Sequence, residues 1–251
     1  MKVAIMQPYF LPYIGYFQLI ASVDKFVLYD NIKYTKKGWI NRNRMLQNGN
    51  DQVFSLSLAK ASDSLDIIDR AIASEFSRQK LLNQFRGNYA KAPYFKDFWP
   101  LMESIILFQD DNLFRYIQNS ISIVCAYLGI NTEIVASSSV EADHDLIGEK
   151  RVIAICEAFK ATKYINPFGG IGLYSEGEFA KKAIELKFLK SKVIHYNQLS
   201  FDFVPWLSIV DLLFFNSIER VRHIISHEYD VINGHNNIQN SAHAFVEVPK
   251  E

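Results

Sequence analysis

An α/β fold with a mainly parallel sheet is the class this sequence predicts, and three observations carry that reading. KVAIM (2–6) and KFVLY (25–29) are short apolar runs of strand type, and Ile14 to Ala21 between them reads as a helix. Strand, helix and strand within about thirty residues make a βαβ unit, whose crossover leaves the two strands parallel. After a helical middle, strand-like and helical runs alternate again towards the end of the chain.

The elements follow in order. Val53 to Leu58 alternates Val53, Ser55 and Ser57 against Phe54, Leu56 and Leu58, which predicts a third strand. From Ser74 to Tyr89 and from Tyr94 to Leu107 apolar residues are dense without a strand signal. Leu113, Ile117, Ile121, Val124 and Leu128 recur at steps of four and three, the clearest amphipathic helix here. Asp110 or Asp111 is placed to cap it and Gly129 to end it. Thr132 to Ala136 predicts a strand, Asp143 a cap for a helix carrying Val152, Ile155, Cys156 and Phe159, and Lys163 to Asn166 another strand. An NPFGG turn, a helix near Glu176 to Ile184, and strand-like pieces around Phe188 and from Val193 to His195 come next. A helical region with Leu207, Val210, Leu213, Ile218, Val221 and Ile225 completes the order. Residues 1–230 are expected as one α/β domain with a helical insertion at about 70–130, and 231–251 as a C-terminal extension rich in Asn and His.

Composition narrows the function classes. The 251 residues are 49% hydrophobic, enough for a sizeable core, and 27 Lys and Arg balance 27 Asp and Glu. No global field therefore draws the chain to nucleic acid or anionic lipid. The apolar run after Lys2 is broken at Gln7, Pro8 and Pro12, unlike a secretory signal, and no stretch is long and apolar enough to span a membrane. A cytoplasmic location is the expectation. Cys125 and Cys156 lie in apolar helical patterns and read as buried thiols, and no metal site is expected. His223 and His227 are four apart on one helix, but no third ligand accompanies them.

Two stretches point to a ligand. Between Lys33 and Asn50 stand Lys33, Lys36, Lys37, Arg42 and Arg44 without a carboxylate. Arg42 and Arg44, flanked by Asn41 and Asn43, suit a phosphate or carboxylate through forked donors, and Trp39 offers a stacking face. In NPFGGIGLY (166–174), Asn166 leaves a strand and Gly169, Gly170 and Gly172 let backbone N–H groups approach a ligand. A tight strand–helix connection accounts for the same glycines. Asp30 falls at the C-terminal end of the second strand, the edge where open α/β sheets bind ligands. Lys91 lies at a helix end before Pro93, and Asp211 in an apolar helix needs a cap or an arginine as partner.

MQPYFLPYIGYFQLI, KKGWINRNR, YAKAPYF, YINPFGG and FVPWLSIVDLL, in this order, resemble the WbqC-like protein family from the first residues to about Tyr229. The resemblance implies a role in bacterial surface-polysaccharide (O-antigen, lipopolysaccharide) biosynthesis, with a glycine or other aminoacyl transfer onto a sugar suggested for some members. Within its motifs the positions carried over are Gln7, Tyr9, Tyr13, Gly15, Tyr16, Asp30, Trp39, Asn41, Arg42, Arg44, Lys91, Asn166, Gly169, Gly170 and Tyr174. Tyr13-Ile14-Gly15-Tyr16 also stands where HIGH-type nucleotide-binding enzymes of Rossmann-like fold keep His-x-Gly-His. From this follows an expected transferase acting on a nucleotide-linked amino sugar, with an acyl or amino-acid donor activated by ATP or carried as an acyl-CoA. Asp30 would take the amine proton, with Tyr13 and Tyr16 beside it, Arg42 and Arg44 would hold the diphosphate, and the tyrosine rings would stack on sugar or base. The rival is a non-catalytic nucleotide-sugar or glycan-binding module of an assembly complex.

Overall fold

The computed structural model describes residues 1–199 and 202–234. Strand β1 (Lys2–Met6), helix α1 (Ile14–Ala21) and strand β2 (Lys25–Leu28) form the expected βαβ unit, with β1 and β2 parallel. A hairpin of β3 (Arg42–Gln47) and β4 (Asn50–Ser55) then forms a separate two-stranded sheet. The helical middle is α2 (Arg78–Tyr89), α3 (Phe95–Ile106) and α4 (Leu113–Leu128). Next come β5 (Glu133–Ala136), α5 (Gly148–Ala158), β6 (Lys163–Pro167), α6 (Glu176–Ala180) and β7 (Glu185–Ser191). Helices α7 (Ile209–Phe215) and α8 (Ile218–His227) and strand β8 (Tyr229–Ile232) close the order.

The main sheet has six strands in the order β5-β2-β1-β6-β7-β8, all parallel except β8, which runs antiparallel to β7. Its strands are apolar on both faces because both faces are covered, as parallel sheets require. The two-residue period sorts them: Ala4, Phe26, Leu28, Ile165 and Leu189 face the core built with α1, α8 and the helical middle. Val3, Ile5, Val27, Tyr164 and Phe188 face a second core with α5 and α6.

Several expectations change. The strand expected at 53–58 begins at Asn50 and pairs with β3 outside the main sheet, and the cation-rich stretch after Lys33 becomes strand from Arg42. Asn48 and Gly49, at φ 51° and 78°, make the two-residue hairpin turn that such dipeptides favour. Asn112 caps α4, accepting from the Arg115 N–H at 2.9 Å, while Asp110 pairs with the Arg115 guanidinium at 2.7 Å; Gly129 ends the helix at φ 72°. Ile147, not Asp143, precedes α5, and the segment 193–195 lies outside any strand. The C-terminal helical region is two helices, separated at Asn216, with Ser217 capping the second. Of the expected extension, 231–232 complete β8, and 235–251 lie outside the described residues.

Asp211 finds neutral partners rather than an arginine. It is fully buried and accepts from Tyr89 Oη (2.9 Å), Tyr196 Oη (2.6 Å) and Gln198 Nε2 (2.8 Å). Tyr89 Oη in turn accepts from the Leu46 N–H at 2.8 Å, so one phenol ties β3, α2 and α7 together. Burial raises the Asp211 carboxyl above its ordinary 3.8. Its contribution to stability is therefore full below that value and is lost as the pH rises through the folded value. Replacing Tyr89 by Phe leaves a buried N–H and a buried carboxylate each short of a partner. Urea denaturation of Tyr89→Phe is expected to show a loss of about 1–3 kcal/mol.

Candidate functional site

A cavity of about 550 Å³ opens beyond the carboxyl ends of β1 and β6. The strand order reverses between those two strands, and in open α/β sheets that is where the crevice forms. Gln7 follows β1, Tyr29 follows β2, and Asn166 and Pro167 end β6; all four line the cavity. The hairpin contributes Asn43 and Arg44, the turn before it Trp39, and the segment before α7 contributes Trp206.

The turn after β1 supplies the ring wall. Tyr13 stands as N-cap of α1 without a side-chain cap, and its ring meets Trp206 edge-on at 6.1 Å. Its hydroxyl and Ser191 Oγ both press on Gly15, where an added Cβ would overlap both atoms, so the first turn of α1 tolerates no side chain there. Tyr16 is turned inward: its hydroxyl donates to the Gln7 carbonyl at 2.9 Å, and its ring packs on Phe26 at 5.2 Å and Tyr9 at 5.7 Å. Tyr9 Oη donates to Gln7 Oε1 at 3.3 Å. Burial raises the phenols of Tyr9, Tyr13 and Tyr16 above 10.0, Tyr9 to about 12, so all three stay protonated donors at neutral pH.

On the opposite wall, Asn166 accepts from Tyr164 Oη at 3.2 Å, and its amide nitrogen lies where a Cβ of Gly170 would stand. Gly169 has open space around it, and Tyr174 meets Tyr164 edge-on at 5.5 Å. The residues 168–173 wind as a 3-10 turn rather than a loose loop.

The hairpin separates the two arginines that the sequence had paired. Both guanidinium groups lie over the Trp39 ring, at 5.5 Å for Arg42 and 5.7 Å for Arg44. Arg44 lines the cavity, bonds Asp51 at 3.1 Å and the Trp206 carbonyl at 3.2 Å, and keeps a buried Nε without an acceptor. Arg42 lies outside the lining and donates to the carbonyls of Gly38, at 3.0 Å, and Lys37, which braces the turn carrying Trp39.

Gln7, Tyr9, Tyr13, Gly15, Tyr16, Trp39, Arg44, Asn166, Gly169, Gly170 and Tyr174 are thus brought together, whereas four expected residues are not. Asp30 stands beyond the end of β2 but is fully buried: it accepts from Ser137 Oγ (2.7 Å), the Ser138 N–H (2.9 Å) and Ser138 Oγ (2.6 Å). That clip joins the ends of β2 and β5 and leaves no carboxylate for an incoming amine. Asn41 is occupied by Tyr34 Oη and the Leu56 carbonyl, both at 2.8 Å, holding the hairpin to its neighbours. Arg42 braces the Trp39 turn as described, and Lys91 is exposed between α2 and α3, outside the lining.

Of the polar and aromatic lining residues, Tyr29, Asn43 and Trp206 were not among the expected site residues. Tyr29 and Asn43 are sequence neighbours of Asp30 and of Arg42 and Arg44, whose charges stood out instead. Trp206, at φ 60°, belongs to a quoted motif but carries no chemical signature of its own.

A model of the WbqC-like protein family matches residues 7–223, which takes in every lining residue from Gln7 to Trp206. The chain belongs to the WbqC-like protein family. Among curated proteins it is similar to the uncharacterized protein Rv1507c of Mycobacterium tuberculosis, 31% identical over 218 residues, or 85% of this chain and 93% of that protein. No solved structure matches the chain. Among the described residues no helix is long and apolar enough to cross a membrane.

Two expected outcomes test how this WbqC-like site is built. Gly15→Ala must push the Tyr13 ring or Ser191 aside, so a stability loss of about 1–3 kcal/mol is expected from chemical denaturation. Asp30→Ala strands two serine hydroxyls and an N–H, and a similar loss of about 1–3 kcal/mol is expected. Undiminished stability of Asp30→Ala would show that the clip does not hold β2 to β5.

Proposed function

We propose that this WbqC-like protein recognises a nucleotide-linked amino sugar in the synthesis of bacterial surface polysaccharide such as O-antigen. The observation that carries the reading is the chemistry of the cavity wall. Trp39, Trp206 and four tyrosines (9, 13, 29 and 174) offer rings, Gln7, Asn43 and Asn166 offer amides, and Arg44 supplies a fixed positive charge. No aspartate, glutamate, histidine or lysine is among the described residues of the lining. Ring faces suit a sugar or a base, a guanidinium suits a diphosphate, and hydroxyls with amides suit the edges of a polyhydroxy ring. The volume of about 550 Å³ is within the range of small-molecule sites, roughly 300–1,000 Å³.

The same wall favours recognition over bond-making. An amine must lose a proton to attack an acyl carbon, and the carboxylate expected to take it, Asp30, is enclosed by Ser137 and Ser138. The raised phenols of Tyr9, Tyr13 and Tyr16 are donors, not bases. Acyl or aminoacyl transfer from a donor activated beforehand, by ATP or as an acyl-CoA, is the second reading. It is favoured by the Tyr13 hydroxyl, a residue of the cavity lining suited to donate to a developing oxyanion.

Isothermal titration with a UDP-linked amino sugar tests the first reading. Saturable binding to the wild type is expected, and Arg44→Met should weaken it by about 1.5–3 kcal/mol. Equal affinity in both proteins would remove Arg44 as the phosphate partner. Mass spectrometry after incubation of a nucleotide-linked 4-amino sugar with glycine and ATP, or with an acyl-CoA, separates the two readings. A new amide product would replace recognition by transfer.

A further inference from the structure

A buried cation without a counter-charge lies behind one wall of the cavity. Arg151, in the first turn of α5, is 8% exposed, and none of the ion pairs among the described residues includes it. Its Nε is buried with no acceptor, and its hydrogen-bond partner is His144 Nδ1 at 3.2 Å. Asn31 Nδ2 lies 3.1 Å from that same Nδ1. His144 Nε2 is 2.9 Å from the Val140 carbonyl, which makes Nε2 the donor and leaves Nδ1 as acceptor. Donors from two side chains thus converge on one lone pair. A guanidinium carries five N–H donors and a permanent charge, and burying it so poorly matched is costly unless an anion completes the cluster.

The cluster points at the cavity through Tyr29. The Arg151 guanidinium lies 5.1 Å from the Tyr29 ring centroid, and that ring is cavity wall. Tyr174 lines the cavity too, its hydroxyl 3.4 Å from that of Tyr164. Arg44 lines the same space from β3, beside Trp39, whereas Arg151 stands behind the Tyr29 ring on another element.

We propose that the Tyr29 end of the cavity takes a carboxylate carried by the sugar of the ligand, with Arg151 as its counter-charge and the Tyr29 and Tyr174 hydroxyls as its donors. The ligand class is then a nucleotide-linked sugar acid, its diphosphate at Arg44 and its carboxylate at the opposite end; the nucleotide half of this statement rests on the function proposed above. A charge in a site of low dielectric acts across several ångströms, so Arg151 selects for a negative group while Tyr29 and Tyr174 touch it.

Titrations of UDP-glucuronate and UDP-glucose at matched ionic strength test this. The wild type is expected to bind the uronate about tenfold more tightly. Arg151→Gln should equalise the two affinities, and Tyr29→Phe, which keeps the ring under the guanidinium, should cut the preference by about threefold. Equal wild-type affinities, or a preference that survives Arg151→Gln, would overturn the proposal. If Arg151→Gln fails to fold, Tyr29→Phe decides: an unaltered preference in it sinks the idea. If neither nucleotide binds the wild type, the nucleotide half of this proposal fails, the UDP-linked amino sugar still decides the function proposed above, and free glucuronate against glucose reads this site alone. Stabilisation by glucuronate alone that Tyr29→Phe weakens would support the carboxylate site; no stabilisation would overturn it.

Discussion

The Leu11 carbonyl is the point on which the site depends. Leu11 sits at φ 45°, a left-handed conformation that costs a bulky residue energy and persists where the surroundings fix it. Here its carbonyl accepts from Asn43 Nδ2 at 2.9 Å and Ser208 Oγ at 2.7 Å. The Phe10 N–H bonds the Ile40 carbonyl, the Ile209 N–H bonds the Pro12 carbonyl, and the Ser208 N–H bonds the Arg44 carbonyl. Three segments far apart in sequence, the turn after β1, the hairpin and the start of α7, are thereby knotted around one residue. Each of them delivers cavity wall: Tyr9 and Tyr13 from the first, Trp39 and Arg44 from the second, Trp206 from the segment leading to the third. The three segments are held by hydrogen bonds to their backbone, from other backbone groups and from Asn43 and Ser208, in addition to the ring contacts.

That the residues at the start of α1 are tyrosines has a physical consequence. A histidine changes charge near neutral pH, whereas a buried phenol does not, and burial moves Tyr13 and Tyr16 further from titration. The helix start therefore offers a neutral hydroxyl at Tyr13, while Tyr16 spends its own on the Gln7 carbonyl. Positive charge at the cavity comes instead from β3.

Much of this was legible in the sequence, for reasons that can be named. The βαβ start and α4 were clear because their apolar residues repeat at the period of the element that buries them, and α4 runs from Leu113 to Leu128 as its stripe implies. The hairpin was half obscured because RNRMLQ and NDQVFS are largely polar and β4 exposes five of its six residues, so alternation marked only its end from Val53. Its Asn-Gly turn was the signal that polarity hid. Asp30 was placed correctly at the sheet edge, yet its role was not readable: its partners Ser137 and Ser138 are 107 and 108 residues away. Asp211 is the same case, with Tyr89 122 residues distant. Sequence position places a carboxylate on an element, whereas the contacts that occupy it come from packing between elements.

Those two aspartates also explain how a chain of zero net charge comes to have a positively biased cavity. Both are fully buried, and both are satisfied by neutral donors: serine hydroxyls and an N–H for Asp30, two phenols and an amide for Asp211. Neither spends an arginine. Arg151 is consequently left with an imidazole, and Arg44 with the half-exposed Asp51 and a backbone carbonyl. Charge balance over the whole chain is therefore compatible with a cavity whose described lining holds Arg44 and no carboxylate, because Asp30 and Asp211 are enclosed elsewhere.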